Sequence, residues 1–296
     1  MITFGQLGTH GRLGNQLFQY AALKSLGLKK GYQVKIPYLP RATWHGQGCL
    51  LNNFNLEAEY LVPDDIHKIQ FQYTEPNHNA FDETFFSLGD NTSIHGFFQF
   101  TDYFKDYESE LRREFTPKKN FIDASQKILD PFRTGGYEVV SVHIRRGDMM
   151  THMYTDTGVS PYEVFGREDI FDSSTIFGRY LTEAIKHFEG QKVKFLVFAG
   201  GKRDGDDSED IAYIKKVINR DDFYISESND PMLDFVTIMS CDHNITCHQS
   251  SYGWWAAHLN DNPHKIVTSP ENYFFLCEET NKRTKKGHFP DGWKIV

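Results

Sequence analysis

The sequence predicts an α/β fold of two Rossmann-like domains with a cleft between them, and three observations carry the core of that expectation. From Tyr137 onward, short apolar runs alternate with segments of helical period, the pattern of a parallel sheet with helical crossovers. The chain opens with another apolar run that passes through Gly8, Gly11 and Gly14 into a helical pattern, the usual start of a nucleotide-binding unit. Finally, the uncharged run Val139-Val140-Ser141-Val142 leads straight into His143-Ile144-Arg145-Arg146-Gly147-Asp148. Such a run reads as a central strand buried on both faces.

The elements follow in order. A strand is expected at 2–6, then a glycine-rich turn, then a helix with Leu17, Tyr20, Ala21, Leu23 and Leu28 on its apolar face, ended by Gly31 before a strand at 32–37. From 39 to 132 the pattern is irregular and aromatic; only a helix at 102–115, after Phe97-Phe98-Gln99-Phe100, can be assigned. Beyond it, strands are expected at 139–144, 194–198, 223–226, 244–247 and 265–268, with helices at 173–188, 208–218, 232–239 and 251–259. Pro131-Phe132-Arg133-Thr134-Gly135-Gly136 reads as a linker, giving domains 1–134 and 135–296, with the last residues packing back on the first domain.

Composition narrows the function. The 296 residues carry a net charge of -8 and a pI near 5.9. That balance argues against non-specific nucleic-acid binding, which needs a basic stripe to displace counterions. The basic run Lys282-Arg283-Thr284-Lys285-Lys286 reads as a solvated turn. The N-terminus lacks a basic segment followed by an apolar one, and no long apolar run occurs, so neither a secretion signal nor a membrane span is expected and a cytoplasmic protein fits. Cys49, Cys241, Cys247 and Cys277 show no CxxC pairing and read as buried, reduced thiols.

Three segments hold the candidate chemistry. Parallel sheets bind ligands at the carboxyl ends of their strands, where His143, Arg145 and Arg146 would stand. A guanidinium matches a phosphate in a bidentate way, which points to a diphosphate. The same hexapeptide also reads as a salt-bridged strand end with Asp148 pairing an arginine. Gly11-Arg12-Leu13-Gly14-Asn15-Gln16 lies where a strand gives way to a helix, so it reads either as an anion site at the helix N-terminus or as a tight turn capped by Asn15. It matches neither the dinucleotide fingerprint nor a P-loop. In Cys247-His248-Gln249-Ser250-Ser251-Tyr252-Gly253-Trp254-Trp255, two serines open a helix, offering hydroxyls and backbone N–H groups to a phosphate or simply capping the helix; the tryptophans read as core. Asp204-Gly205-Asp206-Asp207 has a metal-binding spacing, but Lys202, Arg203 and Ser208 flank it, and it reads as a charged turn with no metal.

Together, in order and spacing, these segments resemble the α-1,2-fucosyltransferases. Gly11 to Ala21 is similar to their N-terminal signature, His143 to Asp148 to the HxRRxD motif that they share with α-1,6- and protein O-fucosyltransferases, and Met239 to Asn260 to their C-terminal signature. The resemblance covers nearly the whole chain. It implies the GT-B architecture, GDP-β-L-fucose as donor, no cofactor, and inverting, metal-independent transfer to the 2-hydroxyl of a galactose in a glycan acceptor. Carried over, Arg145 would hold the β-phosphate and stabilise the departing GDP, with Asn15 as the second catalytic residue. Arg12, Gly14, Asn15, His143, Ser250, Ser251 and Tyr252 would bind donor. Arg146 and Asp148 would brace the loop as an internal pair.

The chain departs from the pattern in two places. Ala199-Gly200-Gly201 stands where the family commonly has a Ser-Asp pair that reads guanine, a role that would fall to Asp204, Asp206 or the backbone. Gly253 stands where a serine is frequent. No residue is singled out as general base; Asp148, Asp156 and Glu163 are candidates. The altered guanine loop keeps open a transferase using another nucleotide sugar, and beyond enzymes a non-catalytic nucleotide- or glycan-binding module on the same fold.

Overall fold

A computed structural model describes residues 1–39, 49–150, 159–201, 208–218, 220–271 and 287–296. The chain forms two compact units: Met1–Lys118 with 287–290, and a second beginning at Lys119 that also takes in Asp291–Val296.

The first unit holds a parallel sheet of strands β1 (Ile2–Thr3), β2 (Val34–Ile36), β3 (Glu59–Tyr60), β4 (Phe71–Thr74) and β5 (Thr92–His95), in the order β3-β2-β1-β5-β4. The expected first helix runs over Leu13–Lys30 and ends, as expected, at Gly31, which takes the left-handed conformation. Leu17, Phe18, Tyr20, Ala21 and Leu23 are fully buried in it. One buried charge needs an account: Glu114 receives hydrogen bonds from the Tyr20 hydroxyl and the Glu57 amide and lies 2.6 Å from Lys24 Nζ, so the carboxylate is paired rather than stranded. The helix expected at 102–115 is broken instead. Phe104 leaves helical geometry at φ -148°, so two single turns, Thr101–Tyr103 and Lys105–Tyr107, precede the helix Glu108–Glu114.

The second unit is built on a parallel sheet of β6 (Glu138–Arg145), β7 (Val193–Gly200), β8 (Phe223–Ile225), β9 (His243–Ile245), β10 (Val267–Ser269) and β11 (Lys294–Ile295), ordered β11-β10-β9-β6-β7-β8. The strand carrying His143 and Arg145 is therefore central, flanked by β9 and β7. Its period of two divides the faces. Val140, Val142 and Ile144 join the core with Phe177, Leu181 and Ile214, from the helices Ile176–Lys186 and Ser208–Val217. Ser141 and His143 face the opposite side, where Asn244 Nδ2 donates to Ser141 Oγ at 2.8 Å and Asn260 Nδ2 donates to Asn244 Oδ1 at 2.8 Å.

The two units divide between Lys118 and Lys119, earlier than the expected boundary after residue 134. Pro131 is not in a linker but inside the helix Lys119–Arg133. That helix belongs to the second unit because Arg133 grips it. Its Nε and Nη2 each lie 3.1 Å from an Asp242 carboxylate oxygen, Nη2 also donates to Ser240 O, and Asp242 accepts from Val139 N at 2.8 Å. The C-terminal residues split: 287–290 go with the first unit, and the final strand adds an edge to the second sheet.

Candidate functional site

Candidate chemistry gathers at the carboxyl edge of the second sheet, where parallel strands leave their ends open to a ligand. β6 and β7 stay in register to Arg145 and Gly200, and the amides of Arg146 and Gly147 both donate to Gly200 O at 3.1 Å. The chain then turns helically, with Met150 N donating to Arg146 O. This turn brings Asp148 back over the strand end. Arg145 Nε donates to Asp148 Oδ1 at 2.9 Å and Nη2 to Oδ2 at 2.7 Å, a fork-to-fork pair that locks the guanidinium.

The expected internal pair of Arg146 with Asp148 is thus corrected. Asp148 braces Arg145, while Arg146 Nη1 donates to Asp210 Oδ1 at 2.6 Å and its guanidinium lies 4.0 Å from the centre of the Tyr213 ring. Both arginines are braced, each by a different carboxylate.

The segment after β9 closes onto the same edge. Arg145 N donates to Cys247 Sγ at 3.3 Å, and Arg145 Nη1 donates to Gln249 O, whose residue holds a positive φ of 49°. Burial pushes the Cys247 thiol up to about 12, so it stays protonated. Cys49 and Cys241 are likewise buried free thiols; Cys277 lies outside the described residues. The helix Ser251–Leu259 then begins, with Ser250 Oγ accepting from Gly253 N at 3.3 Å. The capping reading of Ser250 holds, and Ser251 and Tyr252 occupy the first turn. Tyr252 Oη donates to Pro231 O at 2.5 Å, and its ring lies 5.5 Å from that of His143. Trp254 and Trp255 are core, fully buried.

Gly253 explains one departure from the family pattern. A Cβ there would lie 2.4 Å from His143 Nδ1, so the imidazole occupies the space that a serine would need. Gly253→Ala is expected to destabilise the fold by about 1–3 kcal/mol through overpacking. Denaturant unfolding reads this, and adding His143→Ala should remove most of the loss.

His248 is buried against the rings of Phe177 and Tyr180, and desolvation lowers its pKa to about 3. The unfolded chain protonates this imidazole near 6.5 and the folded one only near 3. Its contribution to stability is therefore complete above pH 6.5 and is lost as the pH falls toward 3, at about 1.4 kcal/mol per pH unit. Unfolding measured from pH 7 to 5 should show this slope, flattened in His248→Asn. His288, in the first unit, is lowered to about 4 by burial and adds a slope of its own.

In the first unit the glycine turn follows β1. The first helix starts at Leu13 with Arg12 at the cap position and no side-chain cap, so Asn15 is not the cap but stands inside the first turn, and Gly14 is buried beside it. Asn15 Oδ1 accepts from Gln99 Nε2 at 2.8 Å. Gln16 Nε2 donates to Gly11 O at 2.9 Å and Gln19 Nε2 to His10 O at 3.0 Å, so both glutamines hold the turn. Neither was singled out from sequence, although two buried glutamines on an apolar helix were a visible signal.

Among the base candidates, both Asp148 oxygens engage Arg145, and Glu163 accepts from Ser160 N at 2.7 Å in a helix capping box. Asp156 lies outside the described residues, as do Asp204, Asp206 and the rest of the charged turn, and the basic run from Lys282 to Lys286.

Residues 6–286 match the sequence profile of Glycosyl transferase family 11. The chain belongs to this family. The match accords with the motif-based resemblance to the α-1,2-fucosyltransferases. An alpha-1,2-colitosyltransferase of Escherichia coli is 26% identical to this family 11 member over 289 residues, covering 89% of the chain and 90% of the relative. The human galactoside alpha-(1,2)-fucosyltransferase 1 is 26% identical over 263 residues, 84% of the chain; the aligned region is 64% of the human protein's length. In fold, the family 11 chain is similar to NodZ alpha-1,6-fucosyltransferase co-crystallized with GDP, with a TM-score of 0.53 at 12% identity over 90% of this chain and 94% of that one. The two parallel-sheet units agree with a GT-B-like fold. Among the described residues, no helix is long and apolar enough to cross a membrane.

Proposed function

We propose that this family 11 chain is an inverting, metal-independent glycosyltransferase that moves L-fucose from GDP-β-L-fucose to the 2-hydroxyl of a galactose in a glycan acceptor. The observation that carries the reading is the locked Arg145 guanidinium beside the start of the helix Ser251–Leu259. A departing GDP gathers charge on its β-phosphate, and catalysis requires groups that bind this charge more strongly in the transition state than in the substrate. A pre-positioned arginine and helix N-terminal dipoles supply such groups. In this reading Arg145 and Asn15 are catalytic; Arg12, Gly14, His143, Ser250, Ser251 and Tyr252 line the donor; and Arg146 and Asp148 brace the loop, each within its own ion pair. The compartment proposed is the cytoplasm.

The relatives support both the donor class and the linkage, since the human protein is named for α-(1,2) transfer of fucose to galactosides. A second donor has specific support. The Escherichia coli relative is a colitosyltransferase, and colitose is L-fucose without its 3-hydroxyl. The two readings separate when GDP-fucose and GDP-colitose are offered in turn with a β-galactoside, measuring GDP release and determining the product linkage by NMR. An α-1,2 product from GDP-fucose is expected, with turnover unchanged by EDTA. Preference for GDP-colitose would transfer the assignment to the second donor, and loss of turnover in EDTA with recovery on adding a divalent ion would overturn the metal-independent mechanism.

A further inference from the structure

The first unit carries an aromatic array at the carboxyl edge of its own sheet, after β1, β4 and β5. Imidazole and phenyl rings run from His95 to His10 at 4.7 Å and from His10 to Phe97 at 4.8 Å, the latter stacked at 28°, with His78 edge-on to Phe97 at 6.3 Å. Phe98 and Phe100 are buried, whereas Phe97 is half-buried and His78 exposed.

An unusual backbone holds Phe97 outward. Gly96 has φ 156°, and a Cβ on it would lie 2.5 Å from Glu75 Cβ; Phe98 has φ 54°, uncommon for a bulky residue. The buried Glu75 maintains this bend, its Oε2 accepting from Phe97 N at 2.8 Å and Phe98 N at 3.1 Å. Strain of this kind persists where surrounding contacts over-determine it, and it gathers at functional sites. The loop turns Phe98 into the core and lays Phe97 on His10.

The array is also tied to the glycine turn. Gln19 Nε2 donates to both His10 O and Gly96 O, and Gln99, two residues after Phe97, holds Asn15. Burial and the neighbouring His95 lower the His10 pKa, which favours a neutral imidazole able to accept a hydrogen bond.

We propose that Phe97, flanked by His10 and His78, is the stacking platform for a β-galactoside ring of the acceptor. This assignment rests on the glycosyltransferase reading above. A β-galactose has one face made of C–H groups, which suits an aromatic ring, and peripheral hydroxyls, which suit flanking imidazoles. Asn15 is joined to the platform through Gln99.

Lactose binding by NMR titration tests the platform without requiring turnover. Phe97→Ala should weaken lactose binding about tenfold, equivalent to roughly 1.4 kcal/mol, while GDP affinity and melting temperature stay near wild type. Phe97→Leu, which keeps bulk without a ring, should also weaken binding, and Phe97→Tyr should retain it. Lactose affinity unchanged in both Phe97→Ala and Phe97→Leu overturns the platform, as does no lactose binding by the wild type. Failure of the wild type to release GDP from GDP-fucose or GDP-colitose would overturn the transferase reading instead, and the lactose titration would still decide the platform.

Discussion

Arg145→Lys is expected to lower kcat by about 10²- to 10³-fold, the scale seen when a transition-state hydrogen-bond donor is removed, with a much smaller change in melting temperature. Lysine keeps a cation beside Asp148, whose side chain is only 5% exposed, so the fold is not left with an uncompensated buried carboxylate. What lysine cannot keep is the planar fork that meets Asp148 on one edge. A point charge on a flexible stem loses that fixed orientation. The fall should therefore appear in kcat and kcat/KM together, as expected for an interaction made in the transition state. A variant that retained near-wild-type kcat would remove Arg145 from the chemistry.

The neighbouring arginine should behave in the opposite way. Arg146→Leu is expected to destabilise the second unit by about 3–5 kcal/mol, because it removes one member of a buried ion pair whose carboxylate, on Asp210, is 1% exposed. The melting temperature should fall by roughly 10 °C. Asp210→Leu in the same background should recover much of that loss, since a buried pair replaced by apolar side chains is often neutral. Turnover of the folded fraction should stay within a few-fold of wild type. If Arg146→Leu instead left stability intact and abolished turnover, the roles of the two adjacent arginines would be exchanged.

Which arginine does what was the least legible part of the motif. The family resemblance paired Arg146 with Asp148, but the helical turn after β6 brings Asp148 back to Arg145, and Asp210, which pairs with Arg146, is supplied by a helix far along the chain. Distant ion pairs leave no local pattern. By contrast, the second sheet was readable because its strands are apolar and its crossovers are amphipathic. The helix Ser251–Leu259 falls where it was expected, and β6 to β10 fall within a few residues.

The first unit was harder to read for a physical reason. β3 and β4 are mostly exposed and only a few residues long, too short to show alternation, and Phe104 breaks a helix that periodicity would have continued. Pro131 misled because proline usually marks a break, yet the helix Lys119–Arg133 continues through it, and the grip of Arg133 on Asp242 fastens the helix to the second unit. Among the described residues, Lys294–Ile295 is the one strand of the second sheet with no counterpart in the sequence reading, its two residues being too few to carry a signal.

The central claim is that Arg145 anchors the β-phosphate of the donor. Calorimetric titration of GDP and GMP into the wild type and into Arg145→Gln tests it most directly, because the two ligands differ by that phosphate alone. The wild type should bind GDP far more tightly than GMP, and Arg145→Gln should lose most of this preference while its GMP affinity barely changes. The same GDP-to-GMP ratio in both proteins would contradict it.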